Sequence, residues 1–290
     1  MLSIKDLIFI FILKLHFYPT WNFMKKVLFP VYLIFTITAL TYISSKAQSI
    51  SDKRYEATEG KIIGIWPHND RIKSPEKLKE LKNRWGFNYL LLAAVYGEKE
   101  KSLANIAGFD SLHIMHQIYL PDLINDKELV MRNIKNIGKI WAYYFDEPIS
   151  REHSYFQFLN LITKLSNNGF YPHAKFIVSE LDEKKAARLL RIADGIMYSG
   201  YGNKEDMGLD QVKTWTEWKE YLGEKFSLIW ISSDQDSDEY RTLFKAARDL
   251  GFNDVWFYAL EPIGEGEEVN DSNYAKFCEA AVEYGFMKLK

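Results

Sequence analysis

The sequence predicts an α/β fold: a single (β/α)8 barrel behind an apolar leader. Three observations predict it. Eight short apolar runs alternate with amphipathic stretches from residue 48 to residue 290, the pattern of parallel strands joined by helices. The runs are rich in β-branched and aromatic residues and lack polar alternation, as strands covered on both faces do. About 240 residues remain once the leader is set aside, the usual size of one such barrel.

The leader comes first. One apolar run spans 7–13; a second spans 27–43 and follows Met24-Lys25-Lys26. A Lys pair, an apolar stretch and the small residues of Ser45-Lys46-Ala47 compose a secretory signal peptide, so residues 1–47 are expected to be removed after Ala47, with Met24 as the true start. The competing reading is an uncleaved membrane anchor, because 27–43 approaches the length of a bilayer span. Cleavage would leave an exported barrel of residues 48–290 with no stable membrane insertion. The leader holds five Lys and one acid, Asp6, so the remainder carries 32 basic and 38 acidic side chains, a net charge of −6 against −2 for the whole chain. That acidic balance excludes a polyanion binder such as a nucleic-acid protein. The lone Cys278 excludes a disulfide scaffold and a thiolate metal cluster.

The apolar runs are 62–66, 89–96, 113–119, 140–145, 174–179, 195–201, 226–232 and 255–260. Between them, helices are predicted over 75–85, 151–167, 182–191, 210–221, 239–250 and 273–284, with weaker patterns at 103–107 and 123–137. Leu78, Leu81 and Trp85 recur at helical spacing in the first, and Ser74 is placed to cap it. Trp215 and Trp218 share one helix face and suit packing on the barrel's outer layer. Gly86-Phe87, Gly169-Phe170 and Gly251-Phe252 each precede a strand, with the Gly where a helix ends left-handed. No solenoid period and no Gly/Ser- or Pro-rich linker divides the region, which reads as one domain and is expected to act as a monomer.

Active sites of such barrels lie at the C-terminal ends of the strands. Those ends carry Trp66 and His68; Glu98; His116 and Gln117; Tyr144, Asp146 and Glu147; Ser179 and Glu180; Tyr198 and Tyr201; Trp230 and Asp234; Tyr258 and Glu261. Carboxylates and flat aromatic faces gather at one rim. Aromatic rings pack on the C–H faces of pyranose rings and carboxylates bind their hydroxyls, so an oligo- or polysaccharide is the expected partner. Cleaving a glycosidic bond needs one carboxyl group to protonate the leaving oxygen and a second group to stabilise or attack the oxocarbenium centre. Asp146-Glu147-Pro148 is the strongest local signal. Neighbours on a strand face opposite ways, so both acids serve one site only if the chain curls there. The plainer alternative is the start of a helix, with acids near its N-terminus and Pro148 in its first turn.

The run Trp141-Ala142-Tyr143-Tyr144-Phe145-Asp146-Glu147-Pro148 resembles the fourth-strand end of barrel glycoside hydrolases, many of which close that strand on a Glu followed by Pro. The resemblance implies that Glu147 is the general acid/base. Among these enzymes the β-N-acetylhexosaminidase type carries an Asp-Glu pair at this place, which implies Asp146 as the group orienting a substrate acetamido nucleophile. The clan with Asn-Glu here expects a Glu at the seventh strand end, where this chain has Ser232-Ser233-Asp234, so Asp234 is a loose substitute. Ile196-Met197-Tyr198 resembles the Met-x-Tyr strand of chitinase-like barrels, although the spaced acids of their fourth strand are absent; Tyr198 or Tyr201 would bond an acetamido group or hydroxyl. Glu261-Pro262 echoes Glu147-Pro148 across the barrel and would suit a water-activating base, with an ordinary loop acid as the plainer reading. Glu180 is a further candidate.

The expected reading is thus an exported glycoside hydrolase-like protein. Its catalytic candidates are Glu147, Asp146, Asp234, Glu261 and Glu180. Trp66, His68, His116, Tyr144, Tyr198, Tyr201, Trp230 and Tyr258 are its expected substrate contacts. No cofactor is called for, and no His-x-His or His-Glu-x-x-His spacing marks a metal. Two alternatives stand: a silent glycan-binding barrel using the same aromatics, and a metal-dependent barrel hydrolase using His68 and His116.

Overall fold

The computed structural model describes residues 53–67, 75–92, 113–118, 140–149, 155–167, 174–198, 210–259 and 271–290, together with Glu128 and Arg132. The leader, the weaker helical patterns apart from Glu128 and Arg132, Gly169, His68, Tyr201 and Glu261 lie outside the described residues. None of the described helices is long and apolar enough to cross a membrane.

Eight parallel strands close into a barrel in chain order: β2 (Ile62–Pro67), β3 (Tyr89–Leu92), β4 (His113–Gln117), β5 (Ile140–Asp146), β6 (Lys175–Glu180), β7 (Gly195–Tyr198), β8 (Phe226–Ser232) and β9 (Asp254–Ala259), with β9 returning to β2. The helices among the described residues are α1 (Pro75–Asn83), α2 (Tyr155–Asn167), α3 (Glu183–Leu189), α4 (Asp210–Leu222), α5 (Ser237–Asp249) and α6 (Asp271–Glu283). The barrel the sequence predicts is therefore the barrel observed, and each strand falls on its predicted run.

Local chemistry sets the helix starts. Asp182 accepts hydrogen bonds from the backbone N–H groups of Lys184 and Lys185 ahead of α3. At α5, Asp236 accepts from the N–H of Asp238 and Glu239 while the Glu239 carboxylate accepts from the N–H of Asp236, a reciprocal capping box. Gly86 follows α1 with φ of 73°; a Cβ there would stand 2.6 Å from the Tyr55 carbonyl oxygen, so only glycine suits this turn.

One element was not expected. β1 (Tyr55–Ala57) and β10 (Met287–Leu289) form a two-stranded antiparallel ribbon outside the barrel. It ties the start of the described chain to its end, and Tyr55 takes a backbone bond to Arg84 beside the Gly86 turn.

The core has two layers. Inside the barrel, Leu91, Met115, Ala142, Tyr144, Ile177, Met197, Leu228, Trp230 and Trp256 form one buried cluster, so the barrel is filled rather than hollow. Outside it, Phe87, Phe257, Tyr274, Phe277 and Phe244 pack mostly tilted or edge-to-face between strands and helices. Gly64 on β2 makes the interior possible: a Cβ there would lie 2.2 Å from the Trp256 ring, so the indole uses the space a side chain would take.

Candidate functional site

The site begins with the two-residue period of β5. Ala142 and Tyr144 belong to the barrel's inner cluster, and the same parity brings Asp146 to the inner face at the C-terminal end of the strand. The Tyr144 hydroxyl lies 2.7 Å from Ser179 Oγ and 3.1 Å from Asp146 Oδ1. Ser179 Oγ in turn lies 3.0 Å from the same carboxylate oxygen. Tyr, Ser and Asp thus close a triangle of hydrogen bonds on neighbouring strands.

The chain then turns. Glu147 adopts φ of 47°, and among the described residues it alone of the non-glycines has a positive φ. That conformation costs an L residue about 1–2 kcal/mol. Its N–H donates to the Ser179 carbonyl at 3.0 Å and stands 3.3 Å from Ser179 Oγ. Glu147 is 7% exposed. Residues 147–149 form a bend and turn, and α2 begins only at Tyr155. Asp146-Glu147-Pro148 is accordingly a strand end that curls into a loop, not the first turn of a helix. Strain of this kind at a polar barrel rim is characteristic of functional sites.

Aromatic rings cluster at the same end of the barrel. Trp66 meets Tyr258 at 4.7 Å, Trp230 at 5.3 Å and Tyr144 at 6.3 Å between ring centroids. Trp230 also meets Tyr144 and Tyr258. These four rings come from β2, β5, β8 and β9 and all face inward. Trp66 and Tyr258 are partly exposed, and Trp230 and Tyr144 lie beneath them. Trp230 Nε1 and Ser232 Oγ, both on the inward face of β8, are buried and have no hydrogen-bond partner. Gln117 ends β4 on the same inward parity as Met115.

Five predicted residues are therefore brought together: Asp146, Tyr144, Trp66, Trp230 and Tyr258, with Glu147 at the adjoining turn. Four described candidates are placed elsewhere. His116 alternates with Met115 and Gln117 and so faces the helix layer. It is 2% exposed, and burial pushes its imidazole down to about 4 against the lesser, opposing effect of a hydrogen bond with the Leu92 backbone. Tyr198 packs edge-on against Trp218 of α4 at 5.1 Å, again on the helix side. Glu180 alternates with Ser179, is fully buried, and accepts a bond from the Ile149 N–H at 2.8 Å, bracing the turn from behind. Asp234 is exposed, accepts from the Gln235 side chain, and acts electrostatically on Tyr240 of α5. Among the described residues, no group of three His, Cys, Asp or Glu side chains could hold a metal ion.

The sequence named Ser179 at its strand end but gave it no role. The signal that could have found it is parity with Ile177, which places it inward at the end of β6.

No protein-family model matches the chain, and no curated protein matches it in sequence. Solved structures do. An aldolase named QR15 superposes with a TM-score of 0.50 at 11% identity, covering 77% of this chain and 94% of its own. The IOLI protein with a bound zinc atom gives 0.50 at 12%, covering 77% and 98%. A family 30 subfamily 8 xylanase from Clostridium acetobutylicum gives 0.45 at 10%, covering 78% and 74%. At such identity the likeness to the first two shows the (β/α)8 fold and no activity, because one barrel hosts many chemistries.

Proposed function

We propose that the chain is an exported glycoside hydrolase-like protein in which Glu147 donates the proton to the leaving oxygen and Asp146 is its charge partner. One observation carries the reading: Tyr144 joins the two halves of such a site. Its hydroxyl bonds the Asp146 carboxylate, while its ring meets Trp66 and Trp230. A carboxylate beside flat aromatic faces is what a pyranose ring needs for orientation and cleavage.

In this reading the Glu147 proton passes to the glycosidic oxygen as the C1–O bond breaks, the bond's electron pair remaining on that oxygen. Asp146 lies beside the sugar, oriented through Oδ1 to stabilise positive charge at C1 or to align an acetamido group that attacks it. Water then completes hydrolysis and returns a proton to Glu147. The positions of Glu180 and Asp234 favour Asp146-Glu147 as the working pair.

The test is a panel of polysaccharides and N-acetylated oligosaccharides incubated with the leaderless protein, with released sugars separated and identified. Release of a defined product by the wild type supports the reading. An inert wild type that still binds a glycan would replace it with a silent binding barrel.

A further inference from the structure

Ser179 does more at this site than complete a strand, and this inference rests on the glycoside hydrolase reading. We propose that Ser179 is a positioning residue whose hydroxyl holds the Asp146 carboxylate and the Glu147 turn in one working geometry. Four contacts converge on it. Its Oγ stands 2.7 Å from the Tyr144 hydroxyl, 3.0 Å from Asp146 Oδ1 and 3.3 Å from the Glu147 nitrogen, and its carbonyl takes the Glu147 N–H at 3.0 Å. A serine hydroxyl has one proton to give and two lone pairs. It donates to Asp146 and accepts from Tyr144, whose single proton is shared between Ser179 Oγ and Asp146 Oδ1, so two hydroxyl protons serve the three contacts. The residue is fully buried; it does not reach the substrate and acts through its neighbours.

The chemistry explains why a serine suits the place. A carboxylate that stabilises a cationic centre has to be fixed in direction and keep its charge. Neutral hydroxyl donors fix a carboxylate without cancelling that charge, whereas a Lys or Arg would compensate it. The same residue pins the backbone at the point where Glu147 departs from the strand. Asp146 and Glu147 are adjacent in sequence, and on a regular strand they would face opposite ways. Ser179 stands where that rule is broken and touches both.

The test uses Ser179→Ala and Ser179→Thr in the full barrel. On a glycan that the wild type cleaves, Ser179→Ala should lower kcat about 10- to 100-fold, the cost of one hydrogen bond to a charged group, with KM within about threefold. Ser179→Thr returns the hydroxyl on a strand that tolerates β-branching and should recover most of kcat. In crystal structures of the free proteins, Asp146 should swing away from the Tyr144 hydroxyl in Ser179→Ala and stay in place in Ser179→Thr. If the alanine variant does not fold, Ser179→Cys, close in volume with a weaker donor, should show the same displacement and loss. Asp146 and Glu147 superposing on the wild type in Ser179→Ala would overturn the proposal, as would an unchanged kcat. If the wild type cleaves no glycan yet Asp146 swings, the positioning role stands and the hydrolase reading fails.

Discussion

The two ends of this barrel are built from the same strands and end up with different chemistry. At the C-terminal end, Trp66, Tyr144, Trp230 and Tyr258 pack together, the Tyr144 hydroxyl bonds Asp146, and Glu147 is strained at the adjoining turn. At the N-terminal end, Tyr89 stacks on His113 and meets Trp141, and Lys175 lies over the Trp141 ring. Asp254 starts β9 there, and burial pushes its carboxyl up to about 6, against the opposing charges of Lys175 and Lys61. Among the described residues, both ends thus hold aromatic rings and an inward acid. At the floor the acid is partly offset by lysines, and Lys61 is further tied to Asn253 and the Phe252 carbonyl. At the mouth the acid is held by two neutral hydroxyls. The floor sets lysines against its acid, and the mouth sets hydroxyls against its own.

The contrast can be broken by substitution. The largest stability effect belongs to the barrel interior. Gly64→Ala puts a methyl group against the Trp256 indole, which is enclosed by Trp230 and Tyr89. It should cost about 3 kcal/mol and lower the melting temperature by roughly 10 °C. A melt unchanged by Gly64→Ala would show that the interior is looser than described.

Next comes the floor acid. In the unfolded chain Asp254 titrates near 3.8, and in the folded protein near 6. Between these values the folded state binds more protons, so wild-type stability falls as pH rises through that window and is level above it. Asp254→Asn removes this dependence. At pH 8 it should be more stable than wild type by about 2–3 kcal/mol, with the gain fading below pH 4 and glycan turnover unaffected. Denaturant titration at several pH values checks this, and a destabilised Asp254→Asn at pH 8 would contradict the floor's role.

The smallest of the three is at the mouth. Tyr144→Phe keeps the ring among Trp66 and Trp230 and removes its bonds to Ser179 and Asp146. Melting should shift by no more than about 3 °C, while kcat falls about tenfold, as expected for one lost hydrogen bond to a charged group. A large loss of stability with normal turnover would make the mouth resemble the floor.

The barrel was legible because parallel strands covered on both faces read as apolar runs, and every predicted run holds a strand. The ribbon of β1 and β10 was not, because three residues leave too little pattern. The site was legible by address but not by face. Strand ends named Trp66, Tyr144, Asp146, Trp230 and Tyr258, all of which share the inward parity. His116, Tyr198 and Glu180 are each one residue away from an inward neighbour, namely Gln117, Met197 and Ser179. With a period of two, that single step moves a side chain from the mouth to the helix layer. Register irregularities at Ile114/Met115 and Ile196/Met197 hide the parity further. Ser179, named at its strand end, received no role for the complementary reason: a small polar residue next to a carboxylate suggests none until the strand's facing is known.

Glu147→Gln tests most directly the proposal that the mouth cleaves glycans with Glu147 as proton donor. The variant should bind a substrate glycan within about threefold of wild type. Its kcat should fall about 100- to 10,000-fold, the usual contribution of a positioned general acid. Undiminished turnover by Glu147→Gln would contradict the claim.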